Sequence, residues 1–274
     1  LGLLADVGQD AKVLAGGQSL IPLMALRLSR PGHIVDIGRL AELTSLTEED
    51  GSIRVGAMVR HAELEASALV RKHAPLVAGA MPHIGHRAIR NRGTACGSLA
   101  HGDPAAELPA VSVALGAEFR LRTEHGERTV PASDFFTGYL TTALEPDELL
   151  VDWTLPAWSP TAGWSVQEVS RRHGDFALMG CAAVIDGGPD GRVTSAALAF
   201  FGAASTPLRV PDAERVLIGQ APDAELFAEA GEMVRKALDP PGDLHASAAH
   251  RRHLGAVLTR RCLQHAVSQT EPTP

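Results

Sequence analysis

Two glycine-rich segments, far apart in the sequence, constrain most strongly what this chain can fold into. They comprise Ala15, Gly16, Gly17, Gln18, Ser19 and Leu20, and then Gly93, Thr94, Ala95, Cys96, Gly97 and Ser98. Where side chains are small or absent, successive backbone N–H groups can converge on an anion. The hydroxyls of Ser19, Thr94 and Ser98 suit pyrophosphate oxygens. A lone Gly-Gly after a strand is usually only a turn, but two such loops in one chain predict a site for a phosphate-bearing cofactor.

Neither segment matches a common nucleotide-binding fingerprint. The chain has no GxGxxG that opens a helix, and no GxxxxGK followed by Ser or Thr. Those spacings place a diphosphate at a helix N-terminus or in a phosphate-binding loop. A dinucleotide site of the Rossmann type and a P-loop NTPase are therefore both poorly supported.

Composition and charge narrow the class of protein further. Hydrophobic residues make up 45% of the 274 positions, which is enough for a sizeable core. The net charge is −7 and the 25 basic residues are dispersed, which argues against nucleic-acid or membrane-surface binding. No apolar run reaches the roughly 20 residues of a spanning helix, and no signal-peptide pattern is present. We expect a cytoplasmic globular protein.

The three cysteines are widely separated and contain no CxxC. They cannot form a disulfide framework or an iron–sulfur site from this chain alone, so reduced thiols are expected. Cys96 could be a reactive thiol near a cofactor or simply a small residue in a glycine position. Cys181 lies in an apolar run and is expected in the core.

Hydrophobic patterning predicts an α+β chain. Strands are expected at residues 11–15, 33–37, 52–58, 118–122, 128–130, 149–155, 164–169, 176–185 and 193–201. Helices are expected at 20–28, from 60 onward, and at 74–89, 108–115, 211–218, 223–238 and 246–267. Pro156 and Pro160 resist both helix and sheet and mark a domain boundary. A polar, frayed tail is expected from Ser268.

The 12 histidines invite a metal hypothesis. His83 with His86, and His250 with His253, have a spacing that one helix face could present to an ion. Neither pair has a nearby cysteine or a second carboxylate in a known pattern, so histidines on a helix face are the preferred interpretation.

His101, Asp103 and Glu107 follow the second glycine-rich segment closely. His101 could either brace the loop backbone or face a bound cofactor. Asp103 and Glu107 could form an acid–base pair, but Pro104 interrupts their spacing and no nucleophile accompanies them. Hydrolysis is therefore disfavoured.

Three segments resemble the flavoprotein (medium) subunits of the molybdenum hydroxylase family, such as that of carbon monoxide dehydrogenase. Residues 15–20 resemble the first FAD loop of these subunits, and residues 91–104 resemble the second. Residues 171–177, Arg-Arg-His-Gly-Asp-Phe-Ala, resemble a strand connection in their C-terminal domain. The resemblance covers nearly the whole chain in the expected order, and xanthine dehydrogenase contains a similar FAD module.

The resemblance implies that FAD is the cofactor and that its pyrophosphate lies between the two glycine-rich segments. Lys12 would assist with phosphate charge, and no residue would be catalytic or bind a metal. The implied cofactor-binding residues are Ala15, Gly16, Gly17, Gln18, Ser19, Leu20, Thr94, Ala95, Cys96, Gly97, Ser98, His101 and Glu107.

Three departures from the family pattern stand out. Cys96 replaces the first glycine of a Gly-Gly pair, which raises the question of whether its backbone angles fit. Gln167 and Glu168 stand where relatives often have a cofactor-contacting lysine. Relatives also begin with a strand and most of a helix before Ala11, so the N-terminal unit is expected to be short.

The implied fold is α+β, with the two-subdomain FAD-binding fold of vanillyl-alcohol oxidase-type flavoproteins. A C-terminal α+β domain, with a three-stranded antiparallel sheet and helices, would follow it. The expected bounds are 1–36 for the first subdomain, 37–160 for the second, 161–268 for the C-terminal domain and 269–274 for the tail.

The resemblance also implies partner subunits. A small subunit with two-iron, two-sulfur clusters would deliver electrons to the FAD, and a large molybdopterin subunit would oxidise the substrate. The assembly would be a heterotrimer or its dimer. Two alternatives remain: a stand-alone FAD-dependent reductase or oxidase of the same fold, and a degenerate subunit without a catalytic role.

Overall fold

The N-terminal unit is built on a two-stranded parallel sheet. The computed structural model describes residues 1–270. Helix α1 (Gly2–Val7) and a 3-10 turn (Gly8–Asp10) lead into β1 (Ala11–Leu14), which pairs with β2 (His33–Asp36). Helix α2 (Leu20–Ala25) makes the crossover that parallel strands require. The first glycine-rich segment is therefore the turn from β1 into α2.

The second unit contains a five-stranded antiparallel sheet with the order β3-β4-β9-β5-β6. Its strands are β3 (Leu46–Glu49), β4 (Ser52–Gly56), β5 (Glu118–Arg122), β6 (Glu127–Pro131) and β9 (Leu149–Leu155). The central strand β9 is buried at almost every position, including Trp153. Burial on both faces explains why β9 is a nearly continuous apolar run rather than an alternating one.

Short helices of the second unit cover this sheet. They are α3 (His61–Ala66), α4 (Ala68–His73), α5 (Pro75–Ala80), α6 (Arg87–Arg90), α7 (Ala95–His101), α8 (Glu107–Leu115) and α9 (Ala132–Phe135), with 3-10 turns at Ala41–Leu43 and Met81–His83. A small two-stranded sheet, β7 (Phe136–Gly138) with β8 (Thr141–Thr142), follows α9. Phe119, Phe135 and Phe136 pack together, with Phe119 and Phe135 centred 4.2 Å apart.

The C-terminal unit is an antiparallel sheet covered by helices. Its strand order is β10 (Ala162–Ser170), β11 (Ala177–Gly187), β12 (Val193–Phe201) and β13 (Leu208–Arg209). Helices α10 (Pro211–Arg215), α11 (Ala224–Ala237) and α12 (Ala248–Thr270) complete the unit. Cys262 of α12 reaches the carbonyl oxygen of Cys181 in β11, where both side chains are fully buried.

The predicted β-strands are confirmed almost throughout, and the strands predicted at 118–122 and 128–130 pair as a hairpin across His125 and Gly126. Two strands were not predicted: β3, which lies in a charged segment, and the two-residue β13. The predicted helix at 74–89 is interrupted at Pro82, within a 3-10 turn, and at Gly85, whose φ is 51°. Helix α12 extends to Thr270, so the predicted tail is helical at its start. The remainder of the tail lies outside the described residues.

The described residues also bear on membrane association. Within residues 1–270, no helix combines the length and apolar character needed to cross a bilayer.

Candidate functional site

The two glycine-rich segments contact each other. A Cβ built on Gly16 would lie 2.7 Å from the Cα of Gly93 and even closer to the carbonyl oxygen of Arg92. A Cβ built on Gly97 would lie 3.6 Å from the Cβ of Ala15. The backbone of the first segment therefore packs directly on the second, and this approach requires glycine at position 16.

The first segment turns sharply after β1. Gly17 has a φ of 72°, in the left-handed region that favours glycine. The Gln18 amide donates to the carbonyl oxygen of Gly16 over 3.1 Å and closes the turn. Ser19 precedes α2 and makes no capping hydrogen bond with its hydroxyl. The turn thus leaves backbone N–H groups and one hydroxyl open to a ligand.

The second segment forms the start of α7 rather than the predicted loop. Thr94 is the N-cap residue, and its Oγ1 accepts a hydrogen bond from the Gly97 N–H over 3.2 Å. The preceding backbone is fixed against residues 59–61, since the N–H of His61 donates to the Gly93 carbonyl and that of Ala95 to the Val59 carbonyl. The capping hydroxyl retains its own proton, which remains able to donate.

Cys96 fits its glycine-like position without backbone strain. It lies within α7, and no residue of that helix has a positive φ apart from its C-cap, Gly102. The Cys96 side chain is buried, with Sγ 3.8 Å from the carbonyl oxygen of Val55. Burial raises the pKa of this thiol well above its usual range. Cys96 is therefore an unreactive core residue, as the plainer interpretation predicts.

A cleft of about 510 Å³ opens beside the contact between the two segments. It is lined by Leu14, Ala15, Gly16, Gly17, Gln18, Ile21, Pro22, Asp36, Gly38, Met58, Arg60 and Arg92. Four of the predicted first-loop residues are in this lining, whereas Ser19, Leu20 and the residues of α7 are not. The α7 residues instead form the support on which the first segment rests.

Sequence reasoning missed two cations of the cleft. Arg60 follows β4 by a few residues, and its guanidinium donates to the carbonyl oxygen of Asn91 over 2.9 Å. Arg92 directly precedes the second glycine-rich segment. Its position in the sequence could therefore have indicated a cation at the site. Two guanidinium groups beside open backbone N–H groups give the cleft the donors that a diphosphate requires.

His61, on the far side of Gly93, was also missed. Its ring is buried, and neither Nδ1 nor Nε2 has a hydrogen-bond partner among the described residues. Burial lowers the pKa of His61 to about 4, and the charge of Arg90 contributes to the same effect. His61 is therefore a neutral imidazole packed beneath the second segment.

His101 and Glu107 lie beyond the cleft, at the end of α7 and the start of α8. Burial lowers the pKa of His101, and the charge of Asp103 partly opposes this. Glu107 is 7% exposed, and burial, followed by the charge of Glu168, raises its pKa to about 8. Asp103 accepts a hydrogen bond from the Ala105 N–H, so it braces the loop rather than forming an acid–base pair.

The histidine pairs do not form metal sites. Within residues 1–270, no three His, Cys, Asp or Glu side chains come together as potential ligands. His83 instead lies beside Glu168, with 3.7 Å between Nδ1 and Oε1. His86 faces His173 at 6.3 Å between ring centroids. Lys12 lies on β1 and is absent from the cleft lining.

Comparison with known proteins gives matches along nearly the whole chain. Residues 1–158 match the family model described as the FAD binding domain in molybdopterin dehydrogenase. Residues 164–266 match the CO dehydrogenase flavoprotein C-terminal domain. The boundary between the two matches falls at the proline-rich segment after β9.

Individual relatives are similar over most of their length. The 6-hydroxypseudooxynicotine dehydrogenase complex subunit alpha of Paenarthrobacter nicotinovorans is 38% identical, covering 100% of this chain and 92% of the relative. The nicotine 6-hydroxylase medium subunit of the same organism is 41% identical, covering 97% and 93%. A solved structure of carbon monoxide dehydrogenase from Hydrogenophaga pseudoflava superposes with a TM-score of 0.95 at 38% identity, covering 98% of this chain and 93% of that one.

Proposed function

Since this chain belongs to the family of FAD-binding subunits of molybdenum hydroxylases, we propose that it passes electrons from an iron–sulfur partner through FAD to an external acceptor. It is the flavoprotein component of an oxidoreductase, and FAD is its cofactor.

The observation that carries the proposal is the contact between the two glycine-rich segments beside a cleft with two arginines. The backbone of residues 15–18 lines the cleft, together with Arg60 and Arg92. A diphosphate needs N–H donors and positive charge in one place, and these groups supply both. We assign the diphosphate of FAD to this cleft, with Ser19 and Leu20 continuing the first segment directly after the lining residues.

Residues 94–98 do not line the cleft, and we propose that their part in FAD binding is to support the first segment from behind. Gly97 lies against Ala15, so α7 holds the glycine turn in place. His101 ends α7 and Glu107 begins α8, and we assign both to the flavin end of the cofactor. The departure at Cys96 does not count against the site, because that residue is unstrained and buried. The unstrained fit of Cys96 also argues against the alternative of a degenerate subunit.

FAD supplies the redox chemistry when bound, accepting electrons singly and releasing them to an acceptor. The protein's contribution is to bind, orient and shield the cofactor. No side chain near the cleft is placed as a nucleophile, so we assign no catalytic residue to this chain. Substrate oxidation would occur at molybdenum in another subunit.

The proposed partners follow from the kind of subunit this is. Similar chains are named as a medium subunit and as a complex subunit alpha. We propose a small subunit with two-iron, two-sulfur clusters and a large molybdopterin subunit, assembled as a heterotrimer or its dimer. We also propose that residues 1–36 and 37–160 form the FAD-binding region, and residues 161–268 the C-terminal domain.

The test is a Gly17→Glu variant, purified from its host together with whatever subunits accompany it. The substitution puts a carboxylate beside the proposed diphosphate, so the expected result is loss of the flavin absorbance and of extractable FAD. A matched control is Gly191→Glu, since Gly191 also has a positive φ, 75°, but has nothing within 4 Å of a Cβ. Normal FAD content in Gly17→Glu would refute the loop assignment. A wild-type preparation without iron–sulfur partners would refute the electron-relay role.

A further inference from the structure

The cleft contains a carboxylate as well as its two arginines. Of the cleft-lining residues in the described part of the chain, Asp36 is the only acidic one, and it ends β2. A diphosphate placed against this carboxylate would be repelled, because like charges at short range raise the energy of the complex. Asp36 is therefore suited to a part of the ligand that carries no charge and donates hydrogen bonds.

The parallel pairing of β1 and β2 places Asp36 beside the first glycine-rich segment. Leu14 and Asp36 are partners in the strand register, and the N–H of Ile37 donates to the Leu14 carbonyl over 3.1 Å. Paired strands lie about 4.8 Å apart, and Ala15 follows Leu14 directly. Asp36 is therefore one strand away from the start of the segment to which we assign the diphosphate.

A local hydrogen bond orients the Asp36 carboxylate. The Gly38 N–H donates to Oδ1 over 2.8 Å, and Gly38 lines the same cleft. A carboxylate accepts hydrogen bonds at both oxygens and donates none. Oδ1 is thus held by the backbone, and Oδ2 is available to a hydroxyl group of a ligand.

The arrangement of β1, α2 and β2 indicates which hydroxyl groups these are. In parallel units of this kind, ligands bind in the crevice at the carboxyl ends of the strands. In dinucleotide-binding folds, an acidic residue after the glycine turn accepts hydrogen bonds from a ribose. This chain lacks the dinucleotide fingerprint, but its glycine turn follows β1 and its carboxylate ends β2, so the relative placement is the same.

We propose that Asp36 accepts hydrogen bonds from the ribose hydroxyls of the adenosine half of FAD, and thereby favours FAD over FMN. This inference rests on the proposed function, because it places the diphosphate at residues 15–18. The two ribose hydroxyls lie on neighbouring carbons of one ring and can both reach a single carboxylate. Asp36 is a positioning residue that determines specificity, and it takes no part in electron transfer.

The proposal also gives the cofactor a direction in the cleft. Its adenosine half would lie toward the end of β2, and its flavin half would extend away from β2. That direction agrees with the assignment of His101 and Glu107, which belong to α7 and α8 of the second unit, to the flavin end.

The experiment measures nucleotide binding to the flavin-stripped complex by titration calorimetry. The probes are ADP, which carries both ribose hydroxyls, and 2′,3′-dideoxy-ADP, which lacks them. We expect the wild type to bind ADP about tenfold more tightly than the analogue, because hydrogen bonds to a charged acceptor are lost. In Asp36→Ala this preference should nearly disappear.

Inorganic pyrophosphate separates ribose recognition from damage to the cleft. Pyrophosphate has no hydroxyl of this kind, so Asp36→Ala should bind it at least as tightly as the wild type does, since a like charge has been removed. Weaker pyrophosphate binding by the variant would mean that Asp36 supports the cleft itself, and would contradict the proposal. Asp36→Asn keeps an oxygen for the Gly38 N–H and serves if Asp36→Ala does not fold. Its preference for ADP should also fall, because a neutral amide is a weaker acceptor.

Asp10→Ala is the matched control. Asp10 lies at the opposite end of the same two-stranded sheet, and its Oδ1 accepts from the Gly32 N–H over 3.0 Å, much as Asp36 accepts from Gly38. Asp10 is absent from the cleft lining. The variant should therefore keep the wild-type preference for ADP over the dideoxy analogue.

FMN distinguishes the ribose from the sugar chain of the flavin. FMN ends at its phosphate and has no adenosine, so Asp36→Ala should weaken FAD binding and leave FMN binding unchanged. Weaker FMN binding with an unchanged preference for ADP would place Asp36 at the flavin half and overturn the proposal. A wild type that binds FAD but does not prefer ADP would overturn the Asp36 assignment alone. A wild type that binds neither FAD nor ADP would overturn the proposed function as well.

Discussion

The carbonyl oxygen of Arg92 faces the Cα of Gly16 so closely that position 16 has no room for a side chain. This contact joins a turn of the N-terminal parallel sheet to the start of a helix in the second unit. Because the contact is between backbones, most side-chain substitutions should leave it unchanged. A side chain added at Gly16 would disrupt it. The contact sets the width of the proposed diphosphate site.

Gly16→Ala should therefore weaken FAD binding. The added methyl group overlaps the backbone of the second segment, and overpacking of this kind costs about 1–3 kcal/mol. We expect the Kd for FAD to rise by about tenfold or more, measured by titration of the flavin-stripped complex. Gly126→Ala is the control, since nothing lies within 4 Å of a Cβ there. Equal affinity in both variants would show that the segments can separate without loss.

The cleft arginines should contribute through charge. Arg92→Gln removes one cation beside the proposed diphosphate, and we expect a loss of about 1 kcal/mol in FAD binding at low salt. The difference should shrink as ionic strength rises, because exposed charges are screened. Arg261→Gln, at an exposed position on α12, provides a control of equal charge change. A loss that does not depend on salt would indicate a structural role instead.

The three cysteine thiols should not react with alkylating reagents in the folded protein. Cys96, Cys181 and Cys262 are all buried, and burial raises the pKa of Cys96 and Cys181. Thiolate is the reactive form, so alkylating reagents should modify none of the three until denaturant is added. Mass spectrometry of native and denatured samples tests this. Modification of Cys96 under native conditions would restore the hypothesis of a reactive thiol near the cofactor.

His61 should make the protein sensitive to acid. Its pKa is lowered to about 4 in the folded state, mainly by burial, against an ordinary value of 6.5. Between these values the unfolded chain binds the proton more tightly, so stability falls as pH drops from 6.5 toward 4. A pKa shift of this size corresponds to about 3 kcal/mol of unfolding free energy.

Chemical denaturation at several pH values measures this loss. A His61→Phe variant has no imidazole to protonate, so its stability should change less over the same pH range. His125→Asn alters an exposed histidine and should behave as the wild type does. If the free energy of unfolding of His61→Phe falls with pH as steeply as that of the wild type, another group controls the loss of stability in acid.

Much of the architecture could be predicted because it depends on local pattern. The strands at 149–155 and 193–201 are apolar runs that must be buried, and the structure places them where the patterning does. Two of the elements that were not predicted, β3 and the start of α7, have sequences that are also typical of turns and loops. β3 is rich in charge because it is an edge strand with exposed side chains. The start of α7 was hidden because glycine-rich sequence is also typical of loops.

Some features of the candidate site could likewise be predicted from the sequence, and others depend on the tertiary structure. By itself the sequence determined where the two glycine-rich segments lie, because the absence of side chains is a property of the residues. Only the tertiary structure decided that Arg60 and Arg92 share a cleft with the first segment, and that His83 lies beside Glu168. These neighbours come from distant parts of the chain, and their burial and mutual charges exist only once the units have packed together.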